Sequence, residues 1–226
     1  MNSNLGRGAT YMKKWSEYKA LAEERPMLFT KEGLEVIFDE TEIEEFEKES
    51  GREIGIIYES PWRYLVVDLV KNSAGKLFAY ERVIPTKTGG VAILPVYNGG
   101  IVLIHEYRHP VNEWKWEIPR GFGTAGFSAK QNAEKELWEE TGLEAENMHY
   151  LGQINPDSGL TSDHVDLFLA EIKEMSLSLD NKEGTEEIEK VRLFSIAEVK
   201  EMIATGKITD SFTLSALGIW QLTKKD

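Results

Sequence analysis

Pro119-Arg-Gly-Phe-Gly-Thr-Ala-Gly-Phe127, followed directly by Ser128-Ala-Lys-Gln-Asn-Ala-Glu-Lys-Glu-Leu-Trp-Glu-Glu-Thr-Gly-Leu143, reads as a glycine-rich loop opening into a short helix. Ser128 is placed as an N-cap, and Gln131 stands where a capping box takes its Glu or Gln. Gly142 is the residue that ends such a helix in the left-handed region, which leaves Ala129 to Thr141 as its body. Ala133 and Leu137, with Trp138, are its candidate anchors. Glu136, Glu139 and Glu140 fall at i, i+3 and i+4, so the spacing gathers three carboxylates on one side. Like charges so placed repel unless a cation sits among them, and Lys135 answers part of that charge. A hard divalent cation held by oxygen ligands is one reading of the pattern. A solvated acidic helix face is the other, and the loop feeding the helix is what weighs toward the metal.

Around this stretch the chain has 226 residues, which suits one substantial domain with an N-terminal appendage. It is 41% hydrophobic with six Trp, enough for a real core. There is no Cys, so disulfides and thiolate metal sites are excluded. The start, MNSNLGRGATYMKKW, lacks the apolar core of a signal peptide, and no run approaches transmembrane length. A cytoplasmic protein is expected. The formal charge of -13 disfavours nucleic-acid polymers and anionic membranes as partners. A small phosphorylated ligand stays open, because a bound metal ion inverts the local potential.

Taken in order, residues 1–10 read as a disordered tail and residues 11–85 as a β-rich N-terminal subdomain. Within it, Met27–Thr30 and Glu35–Phe38 read as short strands with Gly33 in the turn, and Glu42–Glu49 as a helix. Strands then flank a hairpin turn at Ser73–Gly75. The main domain is assigned to residues 86–226, its strands starting near Gly89. Asn98-Gly99-Gly100 is a strong hairpin turn, and Ile101–Ile104 reads as a strand covered on both faces. Trp114 and Trp116 share one side of an extended stretch, opposite Glu113, Lys115 and Glu117, and at least one of the two reads as core. Further strands are expected at MHYLGQI, VDLFLAEI and Glu187–Phe194. Ser195 with Glu198 caps a helix ending near Gly206, and Asp210 or Ser211 caps the last one. This order predicts an α/β/α sandwich around a mixed β-sheet.

The loop and helix resemble the signature of the Nudix hydrolases: glycine, five residues, glutamate, seven residues, then Arg-Glu-aliphatic-x-Glu-Glu-x-Gly-aliphatic. Gly121 takes the first position, and Glu136, Leu137, Glu139, Glu140, Gly142 and Leu143 take the last. Two positions depart: Phe127 stands for the first glutamate and Lys135 for the arginine. In the family these groups brace the loop and orient the ligands, and lysine lacks the planar fork that holds two carboxylates at once. Residues 79–206 resemble the branch acting on ADP-ribose and related nucleoside diphosphate sugars. That likeness rests on Glu81-Arg82, on Glu106-Tyr107-Arg108 with Pro110, and on Trp116 to Pro119.

The resemblance implies metal-dependent hydrolysis of a diphosphate by water, with Mg²⁺ or Mn²⁺ as cofactor. It implies Glu136, Glu139, Glu140 and the Arg120 carbonyl as metal ligands, with Glu139 and Glu140 also catalytic. Arg82, Arg108 and Arg120 are its candidates for the diphosphate or ribose, against the reading of each as a structural ion pair. Trp62, Tyr107 and Trp114 are candidates for stacking the adenine. The general base is expected in the later loop NKEGTEEIE, which offers Glu183, Glu186 and Glu187, and Glu186 best matches the family's spacing. Asp157, Asp163 and His164 are minor candidates for the cleft. Family members carry a small N-terminal β subdomain that builds a homodimer, and residues 11–85 suit that role. A binding or regulatory protein on a catalytically weakened Nudix scaffold is the alternative.

Overall fold

The computed structural model describes residues 5–87, 89–177 and 187–223, with side chains from Trp15 onward. The chain divides into two compact units, one made of residues up to Thr86 together with Asp157–Asp163, the other of Lys87–Pro156 and His164 onward.

In the first unit the long strand β3 (Arg63–Lys71) is the centre of a four-stranded antiparallel sheet. β4 (Leu77–Pro85) pairs along its whole length, while β2 (Gly55–Glu59) and β1 (Glu35–Val36) pair with its two ends. Helix α1 (Leu5–Glu24) places Trp15, Tyr18 and Leu21 on one face, and they pack with Ile56, Val66 and Ile84. The helix thus begins at Leu5, inside the stretch read as a disordered tail; tertiary packing of its later turns overrides the low propensity of Gly6 and Gly8. Pro26–Phe29 is a 3₁₀ turn rather than a strand, because Pro26 sets a helical φ at its first position. Helix α2 (Glu40–Ser50) starts on an Asp39 cap and ends at Gly51 with φ 73°. At the centre, Asp68 is buried and accepts a hydrogen bond from the Tyr18 hydroxyl. Its other oxygen lies 2.6 Å from Arg82 Nε. Arg82 also donates to the Leu28 carbonyl at 2.7 Å and lies over the Phe29 ring. Burial first, then the Asp68 carboxylate, pushes the Tyr18 phenol far up, so it stays a donor. The segment Asp157–Asp163 runs beside β4, with a 2.8 Å bond from Val83 N to the Leu160 carbonyl.

In the second unit β11 (Ile188–Phe194), β6 (Gly100–Arg108), β5 (Gly90–Tyr97), β10 (Val165–Ile172) and β9 (Ala145–Ile154) form one mixed sheet in that order. β5 and β10 run parallel, and the other neighbours are antiparallel. Side chains alternate along β5 as the strand pleat requires. Val91 and Ile93 pack under helix α3 (Ala129–Thr141), and Ala92 and Leu94 pack under α4 (Ile196–Ala204) and α5 (Ser211–Thr223). The result is the expected α/β/α sandwich.

One irregularity positions the site. The β5–β6 ladder stops after Val96↔Ile101, and the next residue of β5 is Pro95, which has no N–H to give. The two strands part there. β7 (Glu113–Glu117) pairs with the far half of β6, and β8 (Arg120–Gly121) pairs with the first residues of β5. The glycine loop therefore leaves the sheet from between its two central strands. Among the described residues no helix is long and apolar enough to cross a membrane.

Replacing Asp68 with Ala strands a largely buried guanidinium and is expected to destabilise the first unit by about 3–5 kcal/mol. Urea unfolding followed by tryptophan fluorescence measures it, and a loss below 1 kcal/mol would show that the Arg82 contact is peripheral.

Candidate active site

Helix α3 forms where the spacing placed it. Ser128 Oγ accepts from Gln131 N, the Gln131 side chain returns the bond to Ser128 N at 2.9 Å, and Gly142 closes the helix at φ 72°. Ala133 and Leu137 are fully buried under the sheet, whereas Trp138 is exposed and anchors nothing. With those two residues facing inward, Glu136 and Glu140 come down at the helix edge against β8, and both are buried.

Each carboxylate has its own environment. Glu140 Oε2 accepts from the Arg120 backbone N–H at 3.2 Å. Glu136 lies against Gly121 so closely that a Cβ there would be 2.1 Å from its Oε2. Only glycine lets the backbone pass. Glu139 is drawn to Lys135, whose ammonium hydrogen-bonds its Oε2 and lies 3.3 Å from Glu136 Oε1. Burial alone would lower the Lys135 pKa, but bonding to Glu139 and the fields of Glu136 and Glu139 hold it above the ordinary lysine value. Among the described residues no group of three carboxylate or imidazole side chains converges into a ready cage. The three glutamates share a helix edge: Glu136 and Glu139 both meet the Lys135 ammonium, and Glu140 faces the Arg120 backbone N–H.

Phe127 is exposed and braces nothing. The loop is held instead by the buried Asn132, whose Oδ1 accepts from Thr124 N at 2.9 Å. Sequence reading passed over Asn132, though its place one turn into the helix is where a side chain reaches back to the loop.

A second carboxylate group lies behind the first. Glu117, read from strand alternation as part of a polar face, is fully buried, and so nearly is Glu106. Arg108 joins them: Nε donates to Glu117 Oε1 at 2.8 Å and Nη1 lies 2.6 Å from Glu106 Oε1. Burial would lower the Arg108 pKa, but the bond to Glu117 and the charges of Glu117, Glu106 and Glu140 keep it raised. Glu117 Oε2 is buried without a hydrogen-bond partner among the described residues. Arg120 Nε reaches Glu117 Oε1 at 3.3 Å, and its guanidinium lies over the Phe212 ring at 4.2 Å. Asp210 caps α5 by accepting from Thr213 N at 2.8 Å, and the Thr213 hydroxyl accepts from Ile118 N at 3.0 Å. That ties the start of α5 to the segment leading into the loop. Arg108, Lys115, Glu117, Arg120, Thr209 and Asp210 line a cleft of about 350 Å³.

The remaining candidates are distributed. Trp116 packs on Phe194 and the core, while Trp114 is 45% exposed. The His105 ring is stacked against both, with centroids 4.5 Å from Trp116 and 5.3 Å from Trp114. Tyr107 lies edge-on to Trp114 and donates its hydroxyl to Asn112 at 2.5 Å. Trp62 and Arg82 belong to the first unit, Trp62 exposed and Arg82 engaged with Asp68. Asp157 and Asp163 bond within their own turn, and His164 Nδ1 is 2.9 Å from Asn155 Nδ2. Glu183 and Glu186 lie outside the described residues; Glu187 is exposed, and its carbonyl accepts from Tyr107 N at 3.0 Å.

The donor chemistry suits a hard divalent ion: oxygen donors alone, at a backbone position where the missing Cβ of Gly121 leaves room for a carboxylate.

Residues 86–212 match the model of the NUDIX domain. The chain is 32% identical over 146 residues to the methanol dehydrogenase activator of Bacillus methanolicus, covering 63% of this chain and 77% of that protein. It is 30% identical over 161 residues to the ADP-ribose pyrophosphatase of Bacillus subtilis (strain 168), covering 70% of this chain and 84% of that one. The crystal structure of an ADP compounds hydrolase superposes with a TM-score of 0.63 at 20% identity, over 74% of this chain and 89% of the other, a likeness of fold.

Arg108→Met leaves Glu106 and Glu117 buried with no cation bonded to both, and is expected to cost about 3–5 kcal/mol in urea unfolding. Arg108→Lys keeps a point charge without the fork and should recover part of that loss. Equal stability of all three proteins would show that the ion group is solvated.

Proposed function

Because the chain belongs to the Nudix hydrolase family, as a pyrophosphatase of its ADP-ribose branch, we propose that it hydrolyses ADP-ribose or a close nucleoside diphosphate sugar to a nucleoside monophosphate and a sugar phosphate. The observation that carries this reading is the pairing of the Gly121 backbone with the buried Glu136, beside a Glu140 oriented by the Arg120 N–H. The name of the Bacillus subtilis relative supports the substrate class.

Glu136, Glu139, Glu140 and the Arg120 carbonyl would hold Mg²⁺ or Mn²⁺. Bound there, such an ion supplies activation of water and neutralisation of the diphosphate charge. The protein's own residues do the rest. Gly121 lets the loop backbone lie against the carboxylates without steric cost. The Arg120 N–H fixes one oxygen of Glu140. The Arg120 side chain, with its guanidinium over the Phe212 ring and Nε bonded to Glu117 at the cleft wall, would meet phosphate oxygens. Arg108 is bonded to Glu106 and Glu117, so its part is to hold the cleft floor and to lend it positive charge. Trp114, exposed beside Tyr107, offers an aromatic face for a base. Glu186 is kept as the proposed general base on the family's spacing.

Residues 11–85 are proposed as a dimerisation element. In the first unit Met27, Tyr58 and Trp62 are large apolar side chains left exposed. A small anionic nucleotide, rather than a nucleic-acid polymer, suits a chain of net charge -13.

With ADP-ribose and Mg²⁺ the protein is expected to release AMP and ribose 5-phosphate, measured by chromatography. Gly121→Ala should lower kcat/KM by about a hundredfold through displacement of the Glu136 carboxylate, and Glu140→Gln should lower it further, both with an unchanged far-UV spectrum. Absence of divalent-dependent AMP formation across a nucleotide-sugar panel would sink this reading in favour of a binding or regulatory role, which the Lys135 contact favours. Light scattering is expected to give twice the chain mass, and deletion of residues 1–85 to abolish the dimer; a monomeric full chain refutes the dimer proposal.

A further inference from the structure

Lys135 stands one residue before Glu136 and four before Glu139, and its ammonium reaches both carboxylates. Its side chain keeps about a quarter of its surface in solvent, whereas Glu136 is nearly buried on a helix edge clamped against Gly121. The other cations nearby are committed elsewhere: Arg108 bonds Glu106 and Glu117, and Arg120 bonds Glu117 and lies on Phe212. The oxygens that Lys135 contacts are Glu136 Oε1 and Glu139 Oε2, on two of the three glutamates a hard cation would use. A divalent ion takes carboxylate oxygens at roughly 2.0–2.6 Å, and an ammonium on those same oxygens repels it. A lysine resolves that conflict easily, since a point charge on a flexible stem can leave for solvent.

We propose that Lys135 is a tethered counter-ion that competes with the divalent ion for Glu136 and Glu139, so that metal loading requires its ammonium to swing out to solvent. The proposal rests on the reading of these glutamates as metal ligands. Lys135 is then a positioning residue that holds the Glu136 and Glu139 carboxylates on one cation, against their mutual repulsion, until a metal arrives. It sets the metal concentration at which the centre assembles, and it keeps the acidic edge neutralised before that.

The test is direct metal binding to the full chain, with Mn²⁺ titrated by electron paramagnetic resonance in the absence of substrate. Lys135→Met is expected to bind Mn²⁺ about tenfold more tightly than the wild type, because one positive charge beside the ligand oxygens is gone. Lys135→Arg, which keeps the charge and adds a fork, should bind no more tightly than the wild type. A second readout is the melting temperature: without metal Lys135→Met should melt lower, as Glu136 and Glu139 then repel, and Mn²⁺ should raise it by more than it raises the wild type. Equal or weaker Mn²⁺ binding by Lys135→Met, with the wild type still binding, overturns the proposal and leaves the metal centre standing. Absence of binding by both proteins overturns the metal centre and the proposal together. Should Lys135→Met fail to fold, Lys135→Gln takes its place with the same expected tightening.

Discussion

Arg108 and the buried carboxylates around it are the interaction on which the site depends. Glu117 and Glu106 lie in the sheet with almost no water, where an isolated carboxylate would cost several kcal/mol. A single guanidinium bonds both, and Arg120 adds a contact to Glu117. That arrangement holds the start of the glycine loop. Arg120 is thereby anchored by its side chain, and its backbone N–H is left facing Glu140. A lysine at position 108 could not do the same, because it would offer one point charge to two carboxylates in different directions.

The geometry upstream comes from a missing donor. Pro95 has no N–H where the β5–β6 ladder would continue, and the strands part at that residue. β7 and β8 occupy the opening, so the loop emerges beside the N-terminal half of β5. Helix α3 then packs Ala133 and Leu137 on the sheet and brings its acidic edge to the loop. The closest approach in the site, Glu136 against Gly121, is possible only because that backbone carries no side chain.

The two departures from the Nudix signature have different consequences. At Phe127 the ring is exposed, and the loop is braced from elsewhere, by Asn132 on Thr124 N and by the capping box of Ser128 and Gln131. At Lys135 the change reaches the proposed ligands themselves, since the ammonium sits on Glu136 and Glu139. The loop keeps a brace through another hydrogen bond; a cation among carboxylates proposed to hold a metal is, on that proposal, a competitor.

Local signals in the sequence determined a good deal. The boundaries of α3 and β10, the Asn98-Gly99 turn and the capping box at Ser195 were all legible, and the cap of the last helix was narrowed to Asp210 or Ser211, because capping and turn formation depend on residues three or four apart. The spacing of Glu136, Glu139 and Glu140 was legible for the same reason. Tertiary structure alone decided what those groups face. Strand alternation put Glu117 with Glu113 and Lys115 on a polar side, yet β7 lies in the opening between β5 and β6, and its last residue is sealed from water beside Arg108. Arg82 and Arg108 each read either as a diphosphate or ribose ligand or as a structural ion pair; folding set the buried Asp68, 14 residues away, beside Arg82, and the buried Glu106 and Glu117 beside Arg108. Pro26 turned an apparent strand into a 3₁₀ turn, and packing of Tyr18 and Leu21 carried α1 through a glycine-rich stretch. Spacing along the chain fixes which side chains share an element. Burial and charge pairing depend on segments far apart in the chain, and they follow only once the sheet has assembled.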